Sequence, residues 1–211
     1  RLVEELRALL EIGQAGSVAT DEATLAQTLA QTLRSAARAD GCAIVRWDEG
    51  GSQLVLVAAE GRAEGRRSLG DLDTIRHPAG RAVLIDAGVR SLTIHDLDIG
   101  TMERAMLDAW GTAAVLLLPL TVAGRIVGVV ELGCATVAPP GPDELKLYAT
   151  MANHAAAALM FPLAMAAAEQ SGVPARPFYC VLMMAASASF ARGSPIGTNG
   201  TNAMRRRPYR S

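Results

Sequence analysis

Three histidines (His77, His95, His154) and three cysteines (Cys42, Cys134, Cys180) are the side chains of this 211-residue chain best suited to metal ligation or nucleophilic chemistry. None of the histidines has a partner at metal-ligand spacing, and no Cys-x-x-Cys pair occurs, so no zinc site is expected. No serine, histidine and acid stand in a hydrolase context, and no G-x-x-x-x-G-K-[ST] loop is present to cradle a nucleotide. The stretch GRAEGRR (residues 61–67) is basic and contains glycine, which suits either a phosphate contact or, preferred here, a solvated loop. Arg125 and Glu131 interrupt an apolar run, LLLPLTVAGRIVGVVELGCA (residues 116–135). They read as strand-end charges rather than as a catalytic pair.

Composition narrows the function further. Half the residues are hydrophobic but only 4% are aromatic, so the core must be built from Ala, Val, Leu and Ile. A formal net charge of -1 gives no general drive toward nucleic acid or membrane. The charge is unevenly placed: residues 1–170 hold 14 basic and 21 acidic side chains, whereas Ser171–Ser211 hold six arginines and no acid. Few, scattered cysteines fit a reducing, cytoplasmic setting. The chain starts at Arg1 without a signal-peptide pattern and reads as a fragment of something longer. The apolar stretches YCVLMMAASASF and AAAALMFPLAMAAA fall short of the ~20 residues of a membrane span.

The elements follow from periodicity. Leu2, Leu6, Leu9 and Leu10 predict an opening amphipathic helix. Asp21 and Glu22 favour a second helix start, Leu25, Leu29 and Leu33 form its stripe, and Gly41 is expected to close it. CAIVRWD and QLVLVAA predict a hairpin, GRAEGRRSLGDLD a loop, HPAGRAVLIDAG a short helix and SLTIHDL a third strand. TMERAMLDAWG is a helical or irregular crossover, and two strands follow around Ala123-Gly124. With unbroken register there, Leu116, Leu118, Leu120, Val127 and Val129 share one face, and Val115, Leu117, Ile126, Val130 and Leu132 the other. Pro119 lacks an amide, so a bulge or gap is expected at it. Gly141 as N-cap, Pro142 at the first turn, and Asp143 and Glu144 near the dipole's positive end mark the last helix start. Hairpin-joined strands with intervening helices predict an α+β architecture: a central antiparallel sheet of five or six strands, with helices on both faces.

These residues resemble a GAF domain over roughly Leu2 to Leu163. The resemblance is carried by LLLPLTVAGRIVGVVELG followed by DELKLYATMANHAAAAL, with LLEIGQA and GCAIVRWDEGGSQLVLVAAEG matching the entry helix and first hairpin. It implies a strand order 2-1-5-4-3, with the terminal helices on one face and a small-molecule site under the middle helices on the other. On that basis, residues 1–163 are expected to form a GAF-like sensory domain. Residues 164–211 are expected to form a helix extension and an atypical basic tail, disordered or foreign to the native frame.

The resemblance also supplies the functional expectations. It implies a non-catalytic sensor within a signalling protein such as a histidine kinase or cyclase, with its output domain absent from this chain and a homodimer formed through the terminal helices. The ligand is a small molecule of unknown identity, no cofactor is named, and neither nucleic acid nor a membrane span is expected. Candidate ligand-binding residues are Ile94, Asp96, Met102, Met106, Trp110 and Leu118. Haem ligation, found in some GAF domains, would fall to His95 or His77, without an aromatic-rich pocket to accompany them. Covalent bilin attachment is disfavoured, because no cysteine lies between Cys42 and Cys134. Two alternatives stand beside the sensor: a structural dimerisation module without ligand, and a free methionine sulfoxide reductase using Cys42 and Cys134.

Overall fold

The computed structural model describes residues 7, 10–12, 14, 15 and 21–171, apart from 49, 51, 74–76 and 139; of Leu72 and residues 161–171 it describes the backbone alone. The tail beyond Ser171 lies outside the described residues. Residues 7, 10–12, 14 and 15 are helical, and Ile12 is fully buried. Helix α1 (Glu22–Ala37) starts where Asp21 accepts the Thr24 amide at 2.8 Å. It closes at Arg38 in the left-handed region (φ 51°), not at Gly41, which opens the first strand.

Among the described residues six strands make one sheet: β1 (Gly41–Asp48), β2 (Gln53–Gly61), β3 (Leu72–Asp73), β4 (Arg90–Thr93), β5 (Ala114–Val122) and β6 (Arg125–Cys134). Their order is β3-β2-β1-β6-β5-β4, and every pairing is antiparallel. Without the two-residue β3 this is the expected 2-1-5-4-3. A 3-10 helix (Arg62–Leu69), α2 (Pro78–Asp86) and α3 (Thr101–Trp110) form the middle elements, and α4 (Pro142–Ser171) ends the described chain. At the start of α4 the Gly141 carbonyl accepts the first helical amide, Leu145, at 2.9 Å, and the Glu144 side chain reaches back to accept the Gly141 amide at 2.9 Å.

Two expectations are corrected here. GRAEGRRSLGDLD is not a solvated loop but the 3-10 helix and β3; its arginines and glycines carry no apolar period that would have revealed them. SLTIHDL is a strand only up to Thr93, because Asp96 accepts the Thr93 amide at 2.7 Å and turns the chain.

A third correction decides which side chains face which layer. In the β5–β6 hairpin Leu120 pairs with Gly128 but Thr121 pairs with Ile126, so Val127 is the extra residue of a bulge. Pro119 itself pairs with Val129. Because strand side chains alternate, one extra residue moves the rest of β6 to the opposite face. Leu116, Leu118 and Leu120 therefore share a core with Val130 and Leu132, beneath α1 and α4. Val115 and Leu117 share the other core with Val129, under α2 and α3.

Close approach of β1 and β6 requires Gly128, which pairs with Arg46; a Cβ there would run into the Val45 carbonyl oxygen. Gly128→Ala is expected to lower stability by about 1–3 kcal/mol through overpacking. An unchanged urea midpoint would contradict this register.

Candidate functional site

The roof face of the sheet is apolar apart from a few deeply buried exceptions. Ala43, Val45, Leu54, Ala59, Leu117 and Val129 are buried there against Val83, Met106, Leu107 and Trp110. On this same face, paired with Ala43 and Leu117, stands Glu131. Its side chain is 0% exposed, as is that of Arg66, and Arg66 Nε lies 3.3 Å from Glu131 Oε2. Arg66 reaches this position from the 3-10 helix, whose Gly65 packs so tightly on the Ala109 carbonyl of α3 that a Cβ would collide with it.

The pair is incompletely satisfied. Arg66 Nη1 donates to the Gly70 carbonyl at 2.5 Å, but Nε and Nη2 are not aligned with any acceptor. Neither oxygen of Glu131 has a hydrogen-bond partner among the described residues. Trp110, buried under the same roof, adds an unpartnered indole Nε1. A Cβ on Gly133 would lie 2.7 Å from the Trp110 ring, and Gly133 is the next residue after Glu131 on this face of β6. Burying an unpaired hydrogen-bonding group costs about 1–3 kcal/mol, and more when it is charged. Such a cluster is expensive unless something completes it.

A second buried pair lies under the other end of α3. His77 Nδ1 donates to Glu103 Oε1 at 3.1 Å, and the same oxygen accepts the Ala79 amide at 3.0 Å, so Glu103 caps the start of α2. Burial pushes the Glu103 carboxyl up, but the His77 and Ala79 hydrogen bonds outweigh it and hold the group below its ordinary range. His77 Nε2 and Glu103 Oε2 have no partner among the described residues. Glu103, Met106, Leu107 and Trp110 are the buried residues of α3, at i, i+3, i+4 and i+7. One helix face thus spans both polar pairs, over about 10 Å.

The six residues picked from the sequence divide. Met106 and Trp110 are buried under the roof, and Met102 packs half-buried against the same core. Ile94 is 40% exposed and Asp96 is exposed, both in the turn after β4, because that strand ends early. Leu118 lies on the opposite face, in the core beneath α1 and α4. His95 is exposed, and His77 is buried against Glu103. Arg66, Glu131 and Glu103 were missed. The signal available for Glu131 was a charge inside VVELG, an otherwise unbroken apolar strand. It is not a strand-end charge.

Cys42 and Cys134 stand apart from this cluster, and Cys180 lies outside the described residues. Cys42 is buried in the core under α1 and α4, and alternation along β6 places Cys134 with Leu132 on that side. Burial, reinforced by the Glu131 and Glu60 carboxylates, pushes the Cys42 thiol up; burial and Asp40 do the same at Cys134. Neither setting favours a thiolate. Among the described residues no group of three or more His, Cys, Asp or Glu is placed to hold a metal, and no helix is long and apolar enough to cross a membrane.

The antiparallel sheet, the helical roof and the terminal helices define a class, and comparison with known proteins gives it a family. The GAF domain model matches residues 21–159, so the chain belongs to the GAF domain family. The fold is similar to that of the GAF domain of a phosphoenolpyruvate-protein phosphotransferase from Coxiella burnetii: 19% identity, TM-score 0.60, covering 81% of this chain and 97% of that one. It is also similar to the second GAF domain of DevS from Mycobacterium smegmatis: 21% identity, TM-score 0.52, covering 69% and 97%. A third similar structure is free methionine-R-sulfoxide reductase from Neisseria meningitidis, with its substrate: 18% identity, TM-score 0.56, covering 74% and 87%. No curated protein matches the chain.

Breaking a buried ion pair costs more than replacing it whole. Arg66→Met alone is expected to lower stability by about 3–5 kcal/mol, and Arg66→Met combined with Glu131→Leu to restore most of it. Urea unfolding of the two variants checks this. Additive losses would show that the two side chains are not coupled.

Proposed function

We propose that this chain is a non-catalytic sensory domain that binds a small molecule between the sheet and its roof. The observation that carries this reading is the fully buried Arg66–Glu131 ion pair, short of aligned hydrogen bonds, in an otherwise apolar layer that also holds the unpartnered Trp110 Nε1. A module serving only to dimerise gains nothing from such a cluster, since apolar residues of similar volume would stabilise the layer at least as well. Membership of the family is consistent with a sensor, as similar folds occur in a two-component sensor histidine kinase domain from Sinorhizobium meliloti and in DevS. A reductase acting through Cys42 and Cys134 is less well supported, because the sheet separates both thiols from the polar cluster.

The route outward is α4. Its buried residues, from Met151 to Leu159, pack in the core on the far side of the sheet, and the helix then continues to Ser171. Glu131 and Val130 are neighbours on β6 with opposite faces, so strain at the ligand site is felt under α4. In this reading α4, with the opening helix, pairs with its copy in a cytoplasmic homodimer and passes the ligand state to an output domain. Such transmission requires the ligand to bind one of two states more tightly.

Thermal-shift screening of small metabolites, cyclic nucleotides and haem tests the proposal. A ligand of the native state at about 100 times its Kd stabilises by about 2.7 kcal/mol, which raises Tm measurably. At least one compound is expected to do so, and Glu131→Gln to abolish its effect. Uniform failure to stabilise would contradict the sensory reading.

A further inference from the structure

A segment that covers part of a core is normally fastened to it by apolar side chains. The 3-10 helix (Arg62–Leu69) is not. Ala63 is its one fully buried apolar residue, and Leu69 packs half-buried against the roof core. Elsewhere the helix rests on backbone. Its Gly65 lies against the Ala109 carbonyl of α3, and the Ala63 amide lies so close to Gly41 of β1 that a Cβ on Gly41 would collide with it. Glycine at each contact leaves a smooth seat rather than interlocking side chains.

The remaining fastening is polar. Arg66 Nε lies 3.3 Å from Glu131 Oε2, and Arg62 Nη1 donates to the Gly111 carbonyl at 2.7 Å. Water can replace both contacts, and exposure of a buried ion pair recovers the hydration that burial removed. Lifting the helix therefore costs little apolar burial and regains charge hydration. Segments with few buried apolar contacts open at free energies below that of global unfolding.

Both ends of the helix have the residue a hinge needs. Gly61 has φ 64° and ψ -135°, and Gly70 has φ 64° and ψ -157°. Residues with a Cβ rarely adopt either conformation. Beyond Gly70 the anchor is slight: β3 is an edge strand with two residue pairs to β2, and Asp71 accepts the Leu56 amide at 3.3 Å.

We propose that Arg62–Leu69 is a lid, hinged at Gly61 and Gly70 and latched by Arg66 on Glu131, whose opening admits water and solutes to the roof face of the sheet. Its role as the gate for a ligand rests on the sensory reading above. The opening itself is observable without a ligand.

Native-state hydrogen exchange of the whole chain, followed residue by residue by NMR at increasing urea, tests the lid. The amides of Ala63, Gly65 and Arg66 are expected to share one opening, with a smaller urea dependence and faster exchange than the amides of β1 and β6. Gly70 is exposed and a Cβ there meets nothing within 4 Å, so Gly70→Ala adds backbone strain without a clash. If opening releases that strain, lid exchange speeds up by about 10-fold. Arg66→Met combined with Glu131→Leu, which replaces the charges by apolar contact, is expected to slow lid exchange by about 10-fold. Lid amides that exchange only with global unfolding would overturn the proposal, whether or not a ligand is found. Lid exchange unchanged by Gly70→Ala would overturn the hinge, and exchange unchanged in the double variant would overturn the latch. A lid that opens as described, in a chain that none of the screened compounds stabilises, would support the lid and contradict the sensory reading alone.

Discussion

A guanidinium and a carboxylate without access to water lie against one face of a sheet whose core there is mostly Ala, Val and Leu. Most of what distinguishes this domain follows from that pair. Each charge loses several kcal/mol of hydration on burial, which mutual attraction offsets only with good geometry and further hydrogen bonds. Arg66 has one such bond, to Gly70, and Glu131 has none among the described residues. The surrounding layer therefore holds a pair of charges that it does not itself complete.

The bulge at Val127 puts Glu131 there. Without the extra residue, alternation would turn Glu131 into the core beneath α1 and α4, where only apolar neighbours wait. With it, the sheet becomes a divider. Polar chemistry is gathered on the roof side around Arg66, Glu131, Trp110, His77 and Glu103. The other side holds Leu and Ala packing and the two raised thiols. The roof is tied to its site at two points, through Arg66 from the 3-10 helix and Glu103 from α3. A change at either polar pair is a change in how the roof is held, and β6 connects both faces.

Much of the fold was legible because its signals are local and periodic. The Leu25-Leu29-Leu33 stripe, the Asp21 cap, the Gly141-Pro142 helix start and the Ala123-Gly124 turn each appear in a few adjacent residues, and the ordered set resembles one family. The site was legible only in part. Met106 and Trp110 follow from a helix facing the sheet. Leu118 was set under the roof because alternation along β5 divides its residues between two apolar faces without marking which of them the roof covers. Arg66 and Glu103 were missed because their burial depends on partners 65 and 26 residues away in sequence, Glu131 and His77. In isolation GRAEGRR has the composition of a surface loop. Ile94 and Asp96 were misplaced because Asp96 stops β4 early by accepting its own strand's amide.

The most direct measurement is a high-resolution crystal structure of the chain, read at Arg66, Trp110 and Glu131. The account predicts ordered density bonded to Arg66 Nη2 and the Glu131 carboxylate: water in the free protein, and the polar groups of a bound small molecule in the complex. Two parallel, well-aligned N–H···O bonds joining Arg66 directly to Glu131, with no further density beside them, would contradict it.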